Sequence, residues 1–233
     1  MPINYTPVGN ASRTHACIPA MRRRWQKCPM RSSIYPFMQA RMLNMADDDR
    51  TKWDQIYQER IEKPFPPPDP LLFESVLPVP LDEDRRALDL AGGVGQNGIW
   101  LAEQGYIVDV IDISRVALSR GQQEAHKRKL PNINFIPADL DSYPLQADTY
   151  NVVCVVRYLN RDNAFIAKLR AAVKPGGRVI YQTFNMRYLT IKRDFNAAYL
   201  LQLGELQGFF SDWKIIHTDD EDHISELVAI KPT

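Results

Sequence analysis

Long apolar runs are missing from this chain, and cysteine is scarce. Although 45% of the 233 residues are hydrophobic, no uninterrupted apolar stretch approaches the roughly 18 residues that a membrane-spanning helix needs. The three cysteines, Cys17, Cys28 and Cys154, lack the spacing of metal ligands. An odd, scattered set of this kind is typical of a reducing compartment. The sequence therefore predicts a soluble, cytoplasmic protein with no membrane segment and no metal site.

Acidic residues are absent from residues 1–46, which carry seven basic residues, several prolines and no hydrophobic periodicity. This composition favours a disordered extension. An organellar transit peptide, which would change the predicted location, and an arm that contacts RNA are the alternatives. We therefore expect a basic extension at 1–46 and a folded domain at 47–233.

The predicted folded domain is acidic. Subtracting the seven basic residues of the extension from the 29 of the whole chain leaves 22 against 28 acidic ones, a net charge of −6. Binding to nucleic acid rests largely on basic residues that neutralise phosphates. The charge of the domain therefore argues against a nucleic-acid partner.

From residue 86 onward, short apolar runs alternate with amphipathic segments. This pattern predicts parallel strands joined by crossover helices. The predicted strands lie at 87–90, 107–111, 133–136, 151–156, 178–183, 214–218 and 227–231. The predicted helices lie at 47–60, 71–77, 97–104, 115–129, 161–173 and 197–208, and the proline-rich connector KPFPPPDP occupies 63–70.

The first predicted strand leads into a glycine-rich turn at 92–95, and the second strand ends on Asp112. A strand, a tight turn, a helix and a second strand with a terminal acid together build a nucleoside-binding pocket. Residues 93–98 spell GxGxxG, which would suit NAD or FAD. However, Asp89 lies near the end of the first strand, where it would repel a pyrophosphate and attract a sulfonium or ammonium group. The sequence therefore favours S-adenosylmethionine as the cofactor.

Further acids follow the next two strands. Asp112 is predicted to accept both ribose hydroxyls, with a cap on the following helix as the alternative; Ile113 beside it is predicted to contribute to the same pocket. Asp139 and Leu140 follow the third strand, where the acid would accept from the adenine amino group and the leucine would lie against the ring. The alternative for Asp139 is a carboxylate that caps its own loop.

Arg157 and Tyr158 leave the fourth strand at the edge where ligands bind in open α/β sheets. We predict both as catalytic residues: Arg157 would hold an anionic acceptor, and Tyr158 would shape its pocket or accept a proton. An ion pair from Arg157 to the N-terminal helix is the alternative. On that helix, Trp53 and Tyr57 would form an aromatic lid over the cofactor, or would pack the helix on the sheet.

Four motifs in order, LDLAGGVGQNG, VIDIS, ADLD and VKPGGRVIYQTF, resemble those of class I S-adenosylmethionine-dependent methyltransferases. The resemblance covers about 47–233. It implies a Rossmann-like α/β fold with a mostly parallel seven-stranded sheet of order 3-2-1-4-5-7-6, its last strand antiparallel and helices on both faces. It also implies cofactor contacts from Asp89, Gly93, Gly95, Asn97, Asp112, Asp139 and Leu140. Within the class, the N-terminal helix and LLQLGELQGFF are similar to the tellurite-resistance and thiopurine group of small-molecule methyltransferases.

We therefore predict a methyltransferase that acts on a small, soft or anionic acceptor. A soft acceptor such as a thiolate needs little help from a protein base, and no base is evident in the sequence. The fourth strand is followed by VRYL and not by an Asn-Pro-Pro-Tyr-type segment, which argues against methylation of base amino groups. Two alternatives stay open: an RNA or protein methyltransferase that uses the basic extension, and a non-catalytic nucleoside-binding module.

Overall fold

The computed structural model describes residues 35–233 except 81, 82 and 84, and it describes side chains from residue 46 onward. Met42–Thr233 is one of two compact units of the chain, the other being Met1–Arg41. Every side-chain contact reported below lies within Met42–Thr233. The predictions made for residues 1–46 were a disordered extension, a transit peptide or an RNA-contacting arm, and residues 1–34 of that segment lie outside the described residues.

One sheet organises the described residues. Strands β1–β5 run parallel, and β7 runs antiparallel to both β5 and β6. The order β3-β2-β1-β4-β5-β7-β6 confirms the predicted α/β architecture. The seven strands found in this part of the chain are β1 (Arg86–Leu90), β2 (Ile107–Asp112), β3 (Ile133–Pro137), β4 (Tyr150–Val156), β5 (Val173–Phe184), β6 (Lys214–Asp219) and β7 (Ile224–Ile230).

The α-helices of the described range are α1 (Tyr35–Gln58), α2 (Leu71–Ser75), α3 (Gln96–Glu103), α4 (Arg115–Lys127), α5 (Asn163–Ala172) and α6 (Glu205–Gly208). Ser114 caps α4 as predicted, because its hydroxyl oxygen accepts from the Ala117 N–H at 3.1 Å. The start of α1 differs from the prediction, since the helix begins at Tyr35 and enters the segment expected to be extension. Pro36 stands in the first turn, where its missing N–H leaves no helical hydrogen bond unmade.

The helix predicted at 197–208 is wrong. The segment forms a 3₁₀ turn at Ala197–Tyr199, then an extended stretch, then the short α6. The stretch is tied to the end of β5: the Leu201 N–H donates to the Phe184 carbonyl and the Met186 N–H donates to the Leu201 carbonyl, both at 2.9 Å. Gly204 then takes a left-handed conformation with a φ of 80°, which separates the stretch from α6.

Apolar side chains cover both faces of the sheet. On one face, Leu169 of α5 packs with Phe210 and Trp213 of the C-terminal segment. On the other face, Leu72 of α2 and Leu101 of α3 pack against the strands. Burial on both sides explains why β4 is apolar almost throughout. Among the described helices, none combines the length and the apolar composition that crossing a bilayer would require.

Candidate functional site

The turn between β1 and α3 has a left-handed backbone conformation at two of its glycines. Gly93 and Gly95 have φ values of 58° and 74°, in the region that side chains disfavour. A Cβ on Gly92 would lie 2.7 Å from the Asp89 carboxylate, so the turn rests directly on that carboxylate. The turn therefore places its backbone N–H groups and a buried acid together at the carboxyl edge of the sheet.

Asp89 is buried beneath the turn. Its side chain is 1% exposed, and its Oδ2 accepts from the Gly98 N–H at 2.8 Å, whereas its Oδ1 is buried without a hydrogen-bond partner among the described residues. Burial is the main cause that raises the pKa of Asp89 to about 7, because a carboxylate ionises reluctantly away from water. The unsatisfied Oδ1 leaves this group ready to accept from a ligand.

Asp112 stands opposite, at the end of β2. Its Oδ2 accepts from the Gly93 N–H and its Oδ1 from the Ser114 N–H, both at 2.8 Å. Burial raises its pKa, while these backbone donors act in the opposite direction. Asp112 is not the helix cap that we considered as its alternative role, because Ser114 caps α4. Asp112 instead joins the glycine turn to the start of that helix.

Helix α1 lies over the turn, and Tyr57 makes the closest approach. A Cβ on Gly93 would lie 2.2 Å from the Tyr57 hydroxyl oxygen. The Asp54 carboxylate accepts from the Ser114 hydroxyl at 2.7 Å and from the Val116 N–H at 3.1 Å. Trp53, in contrast, is 40% exposed. The two aromatic residues predicted as a lid are therefore placed differently: Tyr57 covers the turn, and Trp53 is partly exposed to solvent.

A cavity of about 110 Å³ lies at the other end of the site. Ile113 and Asp139 line it together with Ala46 and Arg50 of α1. Asp139 also accepts from the Asp141 N–H at 3.0 Å and from the Ser142 hydroxyl at 3.1 Å. Asp139 therefore caps its own loop, which was the alternative role considered for it, and it also lines the cavity. Leu140 is buried in the core below.

Sequence reasoning missed Asp69 and Gln182. Asn97 is 1% exposed, and its Oδ1 accepts from the Asp69 N–H at 2.8 Å. The Gln182 side-chain amide donates to the Asp69 carboxylate at 3.2 Å. The proline-rich connector is thus held across the edge of the sheet between α3 and β5. Its stiffness was visible in KPFPPPDP, but no local pattern indicated its partners.

Arg157 and Tyr158 turn away from each other. Arg157 has a φ of 61°, and its Nε donates to Gln182 Oε1 at 3.1 Å. Tyr158 packs against Phe165 of α5 with ring centroids 5.7 Å apart, and burial raises its pKa to about 12. Within the described residues Arg157 forms no ion pair with α1. Of the two residues predicted as catalytic, Arg157 is the one that bonds to Gln182 of β5, which in turn contacts the connector at Asp69.

Known proteins share the central part of this arrangement. Residues 87–177 match a family model described as a methyltransferase domain. These residues are therefore similar to a methyltransferase domain. The solved structure of an S-adenosylmethionine-dependent methyltransferase from Aquifex aeolicus aligns with a TM-score of 0.52 at 17% identity, over 70% of this chain and 93% of that one. The domain therefore has the predicted class I fold.

The relatives in sequence include methyltransferases with different acceptors. Demethylmenaquinone methyltransferase of Renibacterium salmoninarum is 27% identical over 135 residues, which are 57% of this chain and 54% of that protein. The malonyl-acyl-carrier-protein O-methyltransferase of Halalkalibacterium halodurans is 28% identical over 115 residues, 44% of this chain and 40% of that protein. The chain spans about half the length of the curated relatives it matches. They do not confirm the finer resemblance to the tellurite-resistance and thiopurine group.

The site at the glycine turn suits S-adenosylmethionine in charge. Among the described residues, no basic side chain forms a salt bridge with Asp89 or Asp112. Two buried carboxylates without a counter-cation favour a positively charged ligand over a diphosphate. The unpartnered Oδ1 of Asp89 offers an acceptor, and the cavity beside Asp139 offers room at the adenine end.

We expect cofactor binding to depend on pH through Asp89. Its pKa of about 7 in the free protein lies above the usual range, and a cationic ligand prefers the ionised form. Affinity for S-adenosylmethionine should therefore rise about tenfold between pH 6 and 8 and then level off, with proton uptake by buffer on binding below pH 7. Titration calorimetry in buffers of different ionisation enthalpy measures both quantities.

Asp89→Asn is the matched variant for this test. Asparagine keeps the shape and one acceptor for the Gly98 N–H but removes the titrating charge, so binding should be weak and nearly flat over the same pH range. The free protein has the opposite trend: its stability should fall as pH rises towards 7, because the folded state holds a proton that the unfolded state has released. A pH dependence that survives in Asp89→Asn would assign the effect to another group.

Proposed function

We propose that this chain is an S-adenosylmethionine-dependent methyltransferase that acts on a small-molecule acceptor. The pair of buried carboxylates at the glycine turn is the main support for the proposal. Neither Asp89 nor Asp112 forms a salt bridge with a basic side chain among the described residues, so a positively charged ligand would neutralise them. The match of residues 87–177 to the methyltransferase domain supports it. We assign Asp89, with its free Oδ1, to the charged end of the cofactor, Asp112 to the ribose, and Asp139 with Ile113 to the adenine.

Bound S-adenosylmethionine supplies a methyl group that its positively charged sulfur already activates. The chain then has to orient the reactants and keep water away. Tyr57 closes over Gly93, and Asp54 anchors α1 to the start of α4. Burial and the nearby Asp112 raise the pKa of Tyr57, so this hydroxyl stays protonated and serves as a donor and a cover. The cavity of about 110 Å³ is smaller than the roughly 300 Å³ of a small ligand pocket. We therefore expect α1 to move when the cofactor enters.

The acceptor has to be a good nucleophile in its own right. Tyr158 is a poor base, because burial against the core raises its pKa to about 12 and it stays protonated at neutral pH. An acceptor that is ionised in solution, such as a thiolate or an acidic carbon or oxygen centre, needs no base. The names of the relatives include a quinone substrate and an acyl-carrier protein. Membership of the tellurite-resistance and thiopurine group is a further proposal on the same chemistry.

Binding and turnover with the purified full chain test this function. We expect S-adenosylmethionine and S-adenosylhomocysteine to bind in calorimetry and NADH to give no heat. Incubation with a thiol, a naphthoquinol and selenite as separate acceptors should yield S-adenosylhomocysteine with at least one. Tight NADH binding without binding of the methyl donor would overturn the proposal.

Two rival functions are distinguished by the same assay. A non-catalytic nucleoside-binding module would bind S-adenosylmethionine and release no S-adenosylhomocysteine with any acceptor. An RNA or protein methyltransferase would turn over only with a macromolecular acceptor, and deletion of residues 1–34 would abolish that turnover. Unchanged small-molecule turnover after this deletion supports the function proposed here.

A further inference from the structure

A group of partly exposed aromatic rings lies at the carboxyl end of β5. Phe184 and Tyr188 stack with ring centroids 4.3 Å apart, and Phe195 meets Tyr188 edge-on at 5.0 Å. His223 stacks on Phe184 at 6.4 Å. We call these four residues the aromatic cluster. Each of them is only partly buried, so the cluster offers ring surface to a ligand at the same edge of the sheet as the cofactor residues.

Two cations lie over the aromatic cluster. The Arg157 guanidinium carbon is 4.6 Å from the centroid of the Phe184 ring, and the Lys192 ammonium is 5.7 Å from that of Phe195. Neither cation forms a salt bridge with any carboxylate in the described part of the chain. Ring faces next to unneutralised positive charge favour a ligand that is both flat and negatively charged.

Arg157 is held in one orientation at a backbone cost. Its φ of 61° lies in the left-handed region, which a residue other than glycine rarely adopts and which concentrates at functional sites. Its Nε donates to Gln182 Oε1 at 3.1 Å. The two terminal guanidinium nitrogens make no hydrogen bond with described residues, so a planar pair of donors remains available.

Gln182 donates hydrogen bonds to two neighbouring carboxylates, those of Asp69 and Glu226. It is 4% exposed, and its amide nitrogen donates to Asp69 at 3.2 Å and to Glu226 at 3.0 Å. Asp222, next to His223 in the chain, pairs with the His223 ring at 2.8 Å. Asp69, Glu226 and Asp222 are thus each bound to a donor, whereas the two terminal guanidinium nitrogens of Arg157 bond to no described residue.

We propose that the aromatic cluster and Arg157 form the acceptor subsite, and that the acceptor is a planar conjugated molecule with a carboxylate or a similar anionic group. The ring lies against the Phe184 and Tyr188 surface, and the anion takes the two free guanidinium nitrogens of Arg157. Gln182 is a positioning residue that acts through Arg157. This inference rests on the proposed methyltransferase function and names its substrate class.

The transfer step that follows is balanced without any further reagent. The nucleophilic atom of the acceptor forms a bond to the methyl carbon as the carbon–sulfur bond of the donor breaks. The electron pair stays on sulfur, which loses its positive charge, and any proton on the acceptor atom leaves to water. The anion held by Arg157 serves for binding and takes no part in this bond exchange.

Three matched probes test the subsite in the presence of saturating S-adenosylhomocysteine. Benzoate is flat and charged, cyclohexanecarboxylate is charged but not flat, and benzyl alcohol is flat but neutral. We expect benzoate to bind, measured by chemical-shift titration, and each of the other two to bind at least about tenfold more weakly. Equal binding of benzoate and cyclohexanecarboxylate would overturn the proposal.

Variants separate Arg157 from general charge. Arg157→Gln should weaken benzoate binding about tenfold or more. Arg157→Lys should restore this binding only in part, because lysine lacks the planar fork of donors. Phe184→Leu should remove the preference for the flat probe over cyclohexanecarboxylate. Arg193→Gln removes one exposed positive charge from the neighbouring loop and should change nothing. Equal losses in Arg157→Gln and Arg193→Gln would contradict the subsite.

A parallel titration with S-adenosylhomocysteine keeps the two proposals apart. If the wild-type chain binds neither S-adenosylhomocysteine nor benzoate, the proposed function fails. If it binds S-adenosylhomocysteine but no benzoate, the acceptor subsite alone is wrong. Melting temperatures of all variants show whether a loss of binding reflects a loss of folding.

Discussion

Replacing Asp112 with asparagine is expected to weaken S-adenosylmethionine binding by about 100-fold. The carboxylate accepts from the N–H groups of Gly93 and Ser114, and a side-chain amide can offer only one acceptor to these two donors. A hydrogen bond to a charged group contributes roughly 1.5–3 kcal/mol, so weakening the bond that we assign from the ribose to this carboxylate corresponds to a change of this size. Titration calorimetry with the cofactor and its demethylated product measures the effect.

Asp109→Asn is the matched control for this variant. Asp109 is also a buried carboxylate on β2, but it bonds to Arg86 and Tyr150 on the far side of the strand from the glycine turn. Its replacement should lower the melting temperature and leave cofactor affinity within about twofold. If Asp112→Asn binds the cofactor as tightly as the wild type, the assignment of the ribose site is wrong.

Gly121→Ala is expected to destabilise the domain by about 2 kcal/mol or more. A Cβ at this buried position of α4 would lie 2.3 Å from the Val94 carbonyl oxygen and 2.6 Å from the Phe135 ring. The first contact is with backbone, so α4 and the glycine turn must move apart. Overpacking of this kind costs about 3 kcal/mol, which exceeds the gain of about 1 kcal/mol from the better helix former.

Thermal unfolding of the variant should show a melting temperature about 5 °C or more below that of the wild type. Cofactor affinity should fall as well, because Val94 belongs to the glycine turn. Gly208→Ala is the control, since a Cβ there meets nothing within 4 Å, and it should leave the melting temperature unchanged or slightly raised. Similar behaviour of the two variants would mean that α4 does not rest on the turn.

The strands and the glycine turn could be predicted because their signals are local. Two signals depend only on neighbouring residues: the apolar runs that end on Asp112 and Val156, and the glycines at 93 and 95. The structure has the corresponding strands and turn within a few residues of the prediction. The strand order came from the resemblance to a family and not from periodicity. The sheet confirms it.

The segment at 197–208 shows where local signals fail. Its apolar spacing is compatible with a helix, but its backbone finds better partners at the end of β5. Those partners precede it by about fifteen residues. A prediction from the spacing of apolar residues within a short segment takes no account of them. Such tertiary contacts override helix propensity, which is weak over a short segment.

The amino-acid sequence alone determined that an acid would lie beneath a glycine turn and that a second acid would end the next strand, because side-chain type and strand ends are local properties. Only the tertiary structure decided that Tyr57 lies over Gly93 and that Gln182 joins Arg157 to Asp69. These contacts join residues far apart in the chain. They form because the sheet brings separate segments to one edge, where buried polar groups must find partners.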